Sequence, residues 1–498
     1  MKKQVACFLL LMMQAACIFS QRIDAVWPIG YDCCLAPYFS TADLDFRSGS
    51  LLVNPVVRSI DLSTTNVSAA DSSGNLLFVS NGAFIFNAAN DTMLNGNNLN
   101  PGYYRDSYQS GGLNLIQGML VIPSLTDPNQ YILFHSTSDD YINTGISFYL
   151  YSTVIDMTLD GGLGGVVSKN NVLFTDSMVP GRITASRHAN GRDWWIFVHK
   201  VYGGDVFEFL YTPFGFYGPW IQSLGTYRNI GYGHFCFNPQ GTKVAYYDAV
   251  HGLDVADFDR CTGNFSNQYN LTINDSDHIA GGVAFSSSGR YLYVCNRTHM
   301  YQFDTWQSNL DSTKILLGVY DNFVDTAVSL SFPTAFYLPQ LAPDNKIYIS
   351  AINGVRYLHV INYPDSAGLA ADFCQHCISL PGFNSFTIPN FPNYLLGADS
   401  ISLCDTIFNG IEVQQLFSSP IIFPNPASST VRIYFKTNKK FIVQIYDILG
   451  KEILKTEVME NGIEREIDVR TLPNGIYQCM IKEEETSVVH FEKIIVSH

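Results

Sequence analysis

Phe237-Asn-Pro-Gln-Gly-Thr-Lys-Val-Ala-Tyr-Tyr247 decides the fold class. Asn-Pro-Gln-Gly is turn chemistry, since proline presets one turn dihedral and glycine accepts a positive one. The run that follows is apolar and aromatic-rich, as a buried strand is. The same unit returns along the chain as Asp71-Ser-Ser-Gly-Asn-Leu-Leu-Phe-Val79, Asp127-Pro-Asn-Gln-Tyr-Ile-Leu-Phe134 and His188-Ala-Asn-Gly-Arg-Asp-Trp-Trp-Ile-Phe-Val198. Phe285-Ser-Ser-Ser-Gly-Arg-Tyr-Leu-Tyr-Val294 and Leu341-Ala-Pro-Asp-Asn-Lys-Ile-Tyr-Ile349 complete the series. The turn positions Asn75, Gln130, Arg192, Thr242, Arg290 and Lys346 lie 55, 62, 50, 48 and 56 residues apart, a loose internal period. No amphipathic helical pattern interrupts it between Trp27 and Asp405.

A small sheet cannot bury both faces alone, and radial repetition solves that problem while leaving only short edges. The fold expected is therefore all-β: a β-propeller of about seven blades over 21–415, then a small immunoglobulin-like β-sandwich. Six blades follow from the six turns. A seventh is expected to join Phe383–Leu396 with an early strand near Ala42–Phe46 and so close the ring.

The composition agrees, with 47% hydrophobic and 14% aromatic residues against 15% charged, which excludes a disordered chain. The formal net charge of −15 and the absence of a basic run exclude a nucleic-acid partner. Lys2 and Lys3 followed by the apolar run Val5–Met13 read as a signal peptide over residues 1–20, cleaved between Ser20 and Gln21. A lipoprotein acylated at Cys17 is the rival, but Gln14 stands where that signal needs an apolar residue. No later stretch reaches the ~18 apolar residues a transmembrane helix requires. Nine cysteines follow the leader, an odd number that leaves at least one thiol unpaired. Cys374, Cys377 and Cys404 are near enough in sequence for one disulfide among them, with connectivity open. Cys374-Gln-His-Cys377 lacks the second CxxC of a zinc site and the βαβ setting of a redox motif, so structural cysteines are expected.

Composition changes near Ile421, where 21 of the last 78 residues are charged against 52 of the preceding 420. A boundary follows, with 416–420 as a turn-forming linker and 421–498 as a separate domain. Strands are expected at Val431–Phe435, Phe441–Asp447, Glu464–Val469, Gly475–Lys482 and Val488–Val496, with Gly450 and Gly475 at turns and Asn425-Pro426 turning before the first strand.

Two resemblances follow. Arg187-His-Ala-Asn-Gly-Arg-Asp-Trp-Trp195, Asp257-Phe-Asp-Arg-Cys-Thr-Gly263, Leu341-Ala-Pro-Asp-Asn-Lys-Ile-Tyr348, Leu380-Pro-Gly-Phe-Asn-Ser-Phe386 and Pro389-Asn-Phe-Pro-Asn-Tyr394 resemble the large secreted β-propeller proteins of Bacteroidetes. Phe423-Pro-Asn-Pro426, Val443-Gln-Ile-Tyr-Asp-Ile-Leu-Gly-Lys451, Leu472-Pro-Asn-Gly-Ile-Tyr-Gln478 and Lys493-Ile-Ile-Val496 resemble the type A sorting domain of the type IX secretion system. The matching positions are Asn425, Pro426, Asp447, Gly450, Lys451, Gly475, Tyr477 and Lys493. This resemblance implies passage through the periplasm, recognition by the outer-membrane translocon, and release or attachment at the cell surface. The chain departs from the pattern by ending Val-Ser-His498 without terminal basic residues. Asp-Ser/Thr-apolar triplets resemble O-glycosylation sites of exported Bacteroidetes proteins, with Thr92 and Ser366 foremost.

Catalytic candidates are weighed against plainer roles. Arg187, His188, Arg192, Asp193, Trp194 and Trp195 form the densest constellation, yet Asn190-Gly191 reads as a hairpin turn whose flanking charges pair. Asp257, Asp259 and Gly263 lack EF-hand spacing and read as a turn. His135, Asp139 and Asp140 are candidates to face a central channel. No Gly-x-Ser-x-Gly elbow, His-Glu-x-x-His pair or phosphate loop occurs. The reading is thus a binding scaffold for protein or glycan, with no catalytic residue and no cofactor predicted. The alternative is an extracellular hydrolase or lactonase-like enzyme with a divalent metal at the propeller mouth.

Overall fold

The computed structural model describes residues 22–31, 39–228, 233–273, 279–327, 330–399, 402, 404, 421–423, 426–434, 440–447, 451–458, 464–483 and 489–498. The leader and its Ser20/Gln21 cleavage point, the 416–420 linker, Asn425 and Gly450 lie outside them. The chain divides into two compact units, Met1–Asp405 and Thr406–His498.

In the first unit, the described residues form successive antiparallel meanders. Sheet one pairs Val26–Gly30, Thr41–Asp45 and Leu52–Val56, and sheet two pairs Val67–Ala70, Leu76–Ser80 and Ile85–Asn87. Sheet three holds Met119–Pro123, Gln130–His135, Ser147–Asp156 and Gly165–Met178. Sheet four holds Thr184–Arg187, Trp194–His199, Gly203–Thr212 and Gly215–Arg228. Sheet five holds Gly233–Phe237, Lys243–Asp248, Gly252–Phe258 and Phe265–Leu271, and sheet six holds Gly281–Phe285, Tyr291–Asn296, His299–Asp304 and Ile315–Val319. After a hairpin of Val324–Ala327 and Leu330–Pro333, sheet seven runs Phe336–Leu341, Ile347–Ala351, Val355–Ile361 and Phe373–Asn384.

The six repeated turns are the hairpins that join first to second strands in sheets two to seven. In each, a main-chain N–H donates to the carbonyl three residues back, at 2.9–3.1 Å: Gly74 to Asp71, Gln130 to Asp127, Gly191 to His188, Gly241 to Asn238, Gly289 to Ser286 and Asn345 to Ala342. Gly191 takes φ +70° and Asn345 φ +62°, the left-handed region that glycine enters freely and asparagine tolerates.

The sheets bury their faces against one another. Trp195, Phe197 and Val206 of sheet four share a core with Phe235, Val244 and Tyr246 of sheet five. Trp27, Ile29 and Leu44 of sheet one share another with Tyr337, Tyr348 and Leu358 of sheet seven. A second strand such as Trp194–His199 is therefore buried throughout. Each fully covered aromatic or aliphatic side chain contributes about 1.5–3 kcal/mol. First strands line up beside one another: Val26–Gly30 with Val67–Ala70, Val67–Ala70 with Met119–Pro123, and Gly233–Phe237 with both Thr184–Arg187 and Gly281–Phe285. Phe373–Asn384 comes back alongside sheet one, and Gly30 N donates to Asn384 Oδ1 at 3.2 Å.

The expected closing strand at Phe383–Leu396 is not formed. Only Phe383 and Asn384 belong to a strand, and Ala42–Phe46 pairs within sheet one instead. Pro389 and Pro392 remove two ladder donors from this stretch. Side-chain amides and one phenol do the bonding in their place. Asn390 Nδ2 donates to Met119 O at 2.8 Å and Ile183 O at 3.0 Å, and Gln117 Nε2 donates to Asn390 Oδ1 at 3.1 Å. Asn393 Nδ2 donates to Pro239 O at 2.7 Å, and the Tyr394 hydroxyl to Val121 O at 2.8 Å. Asn390 N donates to Asn66 O, and Ser350 Oγ to Phe386 O. Residues 385–396 are thus a strap bonded to sheets two, three and seven, to the start of sheet four and to the turn of sheet five. Phe391 packs 5.9 Å from Trp27 and Tyr394 6.1 Å from Trp194, centroid to centroid.

The second unit has two sheets about one core. One pairs Ile421–Phe423, Thr430–Tyr434 and Glu464–Asp468; the other runs Glu452–Val458, Phe441–Tyr446, Gly475–Glu483, Val489–Val496 in spatial order. Val431, Ile433 and Ile467 of the first meet Val443, Ile445, Cys479, Ile481 and Ile494 of the second. Phe441–Tyr446 alternates buried with half-buried residues, the period of a strand with one covered face. Glu452–Val458 was not expected as a strand. It is an edge, paired on one side only, and edges carry charges that mask the β pattern. Gly475 opens its strand rather than sitting within a turn.

Candidate functional site: the axial cavity

The first strands of sheets four to seven and the strap enclose a cavity of about 240 Å³. Its wall includes Thr184–Arg187, His234–Asn238, Val283–Phe285, Pro339–Pro343, Asn345, Asn390–Asn393, Leu395, Leu396, Gln117 and Asp24. The cavity opens where the repeated hairpin turns lie, because Asn238, Pro239 and Asn345 belong to those turns. Amides and aromatic rings stand in the wall, among them Asn238, Asn390, Asn393, Phe237 and Phe285, between proline and aliphatic side chains such as Pro339, Leu341 and Leu396. This is a surface of neutral donors and acceptors between apolar faces.

Three charged or ionisable side chains, besides the half-buried Cys236 thiol, modify it. Burial pushes the Asp24 carboxyl up to about 6. His234 is wholly enclosed, its Nδ1 2.7 Å from Val283 O, and burial pulls the ring down to about 4, so the imidazole is neutral. Arg187 lies 4.5 Å over the Trp194 ring and donates from Nη1 to Gly191 O at 3.1 Å. Burial first, then repulsion from Arg260, lowers its guanidinium to about 10. Gln117 ties the wall across sheets, donating to Phe235 O at 2.7 Å and accepting from Phe235 N at 2.9 Å.

The constellation around Asn190-Gly191 is a hairpin turn. Arg192 Nε lies 2.7 Å from Asp193 Oδ1, so those flanking charges do pair, whereas Arg187 has no carboxylate within ion-pair distance among the described residues. His188 accepts Asn190 N at Nδ1 and presents Nε2 to Cys261 O at 3.1 Å, a wholly structural pairing. Asp257 pairs with Lys243, and Asp259 closes a turn through Cys261 N, Thr262 Oγ1 and Gly263 N. His135, Asp139 and Asp140 do not reach the cavity. His135 is buried between Asn100 Oδ1 at 2.7 Å and Thr153 Oγ1 at 2.9 Å. Asp139 accepts Phe148 N and Tyr149 N, and Asp140 caps Asn143 and Thr144. No three His, Cys, Asp or Glu side chains among the described residues gather closely enough to hold a metal.

Cys374 pairs with Cys377, while Cys404 pairs with Cys261 across 143 residues; among the described residues Cys236 and Cys295 stand outside any disulfide. The long disulfide and the Arg260 guanidinium, which donates to Gly397 O, hold the chain leaving the strap against sheet five's last hairpin. Gln117, Asp24 and Ser186 went unmarked in the sequence. The two prolines and three asparagines of Pro389–Tyr394 and its flank were the available signal that this stretch bonds through side chains.

In the tail, Lys451 N donates to Asp447 Oδ1 at 2.9 Å and Asp447 N to Lys451 O at 3.0 Å, closing one turn. The buried Tyr477 donates from its hydroxyl to Pro473 O at 2.8 Å, whereas Pro426 and Lys493 are exposed. His498 N donates to Asn474 Oδ1 at 2.8 Å, anchoring the terminus. Thr92 is exposed; Ser366 is half-buried, its carbonyl accepting Gln302 Nε2 at 2.7 Å.

Residues 421–497 match the secretion system C-terminal sorting domain family. The chain is therefore an all-β protein that carries a sorting domain of the type IX system at its C-terminal end. That tail implies export to the cell surface or the medium. No curated protein matches the chain. Among solved structures, the provisional 6-phosphogluconolactonase of Bacteroides uniformis is 14% identical, covering 72% of this chain and 97% of that one at a TM-score of 0.43. PorZ, an essential surface component of the type IX secretion system of Porphyromonas gingivalis, is 10% identical, covering 92% and 73% at 0.32. At these values the likeness carries no argument about activity or partner. No helix among the described residues is long and apolar enough to cross a membrane.

Proposed function

We propose that this chain is an exported glycan-binding scaffold whose axial cavity is the binding mouth. In this reading residues 1–20 are a Sec leader cut between Ser20 and Gln21, and 21–415 are a propeller of about seven blades. Residues 416–420 are the linker, and 421–498 are an immunoglobulin-like β-sandwich that the type IX outer-membrane translocon reads after passage through the periplasm. The observation that carries export is the family match over residues 421–497. Binding rather than catalysis is favoured by the amides and aromatic rings set in a largely apolar wall, side chains that suit sugar hydroxyls and ring faces. Thr92, exposed beside the buried Met93, is the better acceptor for O-glycosylation than the half-buried Ser366.

The test of export is delivery in a host that carries the secretion system, with and without Ile421–His498. The full chain is expected at the surface or in the medium and the truncated chain in the periplasm. Unchanged delivery of the truncated chain would refute the sorting role. Peptide-mass mapping of the delivered chain checks the leader cut and modification at Thr92.

A further inference from the structure

A second cavity, of about 580 Å³, lies between the repeated hairpin turns of sheets two and three. Its floor is aliphatic, with Ile23, Leu77, Pro123, Leu125, Pro128 and Met157. Asp71, Asp127 and Tyr131 share the wall, and no lysine or arginine among the described residues lines it. Each carboxylate gives one oxygen to its own turn. Asp71 Oδ1 accepts Ser73 N at 2.8 Å and Asn75 N at 2.9 Å, and Asp127 Oδ1 accepts Asn129 N at 2.9 Å. Of the other two oxygens, Asp71 Oδ2 takes only the Asn75 amide at 3.1 Å, and Asp127 Oδ2 has no partner among the described residues. Tyr131 is 8% exposed, its ring edge-on to Phe78 with centroids 5.5 Å apart, and its hydroxyl makes no hydrogen bond among the described residues. Burial first, and then the charge of Asp71, pushes this phenol up, so hydroxyl and carboxylate face one space. The neighbouring guanidinium groups are turned elsewhere. Arg47 is held by Asp45 at 2.7 Å and by Asn75 Oδ1 at 3.1 Å, and Arg22 acts on Asp24 and Asp45. A groove with acceptors, an aliphatic floor and no cation of its own is complementary to a cation carried on a hydrocarbon stem.

We propose that this groove receives a lysine side chain of a partner polypeptide, its methylenes over the aliphatic floor and its ammonium donating to Asp127, Asp71 and the Tyr131 hydroxyl. The site is separate from the axial cavity, so this assignment and the glycan reading can each fail alone. Lysine fits better than arginine. Single acceptors on separate residues suit the three rotatable donors of an ammonium, whereas a guanidinium fork is matched to a carboxylate with both oxygens free. Lysine also fits better than a free polyamine, whose further ammonium groups would be laid on the aliphatic floor. The volume of about 580 Å³ falls within the ~300–1,000 Å³ of ligand pockets and holds the side chain with its flanking main chain. A formal charge of −15 on the whole chain favours approach of a basic partner.

The experiment is titration of the full mature chain with an end-blocked Gly-Gly-Lys-Gly-Gly peptide carrying a neutral fluorophore, followed by anisotropy. Peptides with Nε-acetyl-lysine or arginine in place of lysine are the comparison. The lysine peptide is expected to bind at least about tenfold more tightly than the acetylated one and about two- to fivefold more tightly than the arginine one. Asp127→Asn keeps the oxygen its turn uses and should weaken the lysine peptide about tenfold. Tyr131→Phe deletes a hydroxyl the fold does not bond and should weaken it about two- to fivefold. Asp311→Asn makes the same change of charge at an exposed site between the last two strands of sheet six and should leave binding unchanged. If the Tyr131 variant fails to fold, Asp127→Asn decides. Equal weakening by Asp311→Asn and Asp127→Asn would reduce the effect to overall charge and overturn the assignment. So would no binding of the lysine peptide, equal binding of the acetylated or arginine peptide, or tighter binding of free cadaverine. Displacement of the peptide by glucose or galactose would assign the groove to sugars and likewise overturn it.

Discussion

Replacing Asn390 by alanine tests whether the strap holds the sheets together. Asn390 is 8% exposed, and its amide makes three side-chain hydrogen bonds, to Met119 O, Ile183 O and Gln117 Nε2. The Ala variant leaves two main-chain carbonyls on neighbouring inner strands without this donor. Each such loss costs about 1–3 kcal/mol where water has no access, so the expected destabilisation is about 2–4 kcal/mol. Asn393→Ala is the internal control. It removes two bonds from a half-buried side chain, Nδ2 to Pro239 O at 2.7 Å and Oδ1 from the exposed Leu395 N at 2.9 Å, and should cost about 1–2 kcal/mol. Guanidinium unfolding followed by tryptophan fluorescence is the assay. All 5 tryptophans lie at or before Trp306, so the signal reports the first unit alone. Trp27 and Trp194 lie against Phe391 and Tyr394, so the native emission also reads the strap directly. A cost below 1 kcal/mol for Asn390→Ala, or one no larger than for Asn393→Ala, would show that the sheets hold without the strap.

Glu208 is buried with Oε1 unpartnered, and burial raises its carboxyl to about 8 from the usual 4.5. The folded chain therefore binds this proton more tightly than the unfolded chain, and the stability it confers is lost as pH rises from about 4.5 to 8. Glu208→Gln keeps the bond with Gln222 and should gain stability over wild type progressively between pH 5 and 8; parallel stability curves for the two proteins would refute it. The Cys261–Cys404 disulfide spans 143 residues, and the chain-entropy model assigns such a loop about 5 kcal/mol. The double variant Cys261→Ser/Cys404→Ser should lose much of that in the same denaturation assay, whereas removal of Cys374–Cys377, which spans 3, should cost far less; equal losses would count against a closure role for the longer bridge.

The repeat was legible because its information is local. Gly191, Gly241 and Gly289 stand where a turn needs a positive φ, and each is followed by apolar runs such as Trp194–Val198 and Tyr291–Val294 that become buried second strands. The tail was legible for the same reason, with the short apolar run Phe441–Tyr446 set between turns; its charged edge strand Glu452–Val458 was not. The cavity was hidden. Arg187 and His188 are adjacent in the chain and read as one constellation, yet His188 is consumed by Cys261 O and Asn190 N while Arg187 faces the cavity.

From residues alone came the all-β class, the hairpin spacing and the sorting tail, since turn chemistry, strand alternation and a short terminal motif act over a few neighbouring residues. Tertiary structure decided that residues 385–396 leave sheet seven as a strap across the neighbouring sheets, that Cys404 reaches Cys261, and that Arg187 has no carboxylate within ion-pair distance among the described residues. Those outcomes depend on groups brought together from five or more sheets across separations such as 271 residues between Asn390 and Met119, a distance over which a linear pattern carries no pairing information.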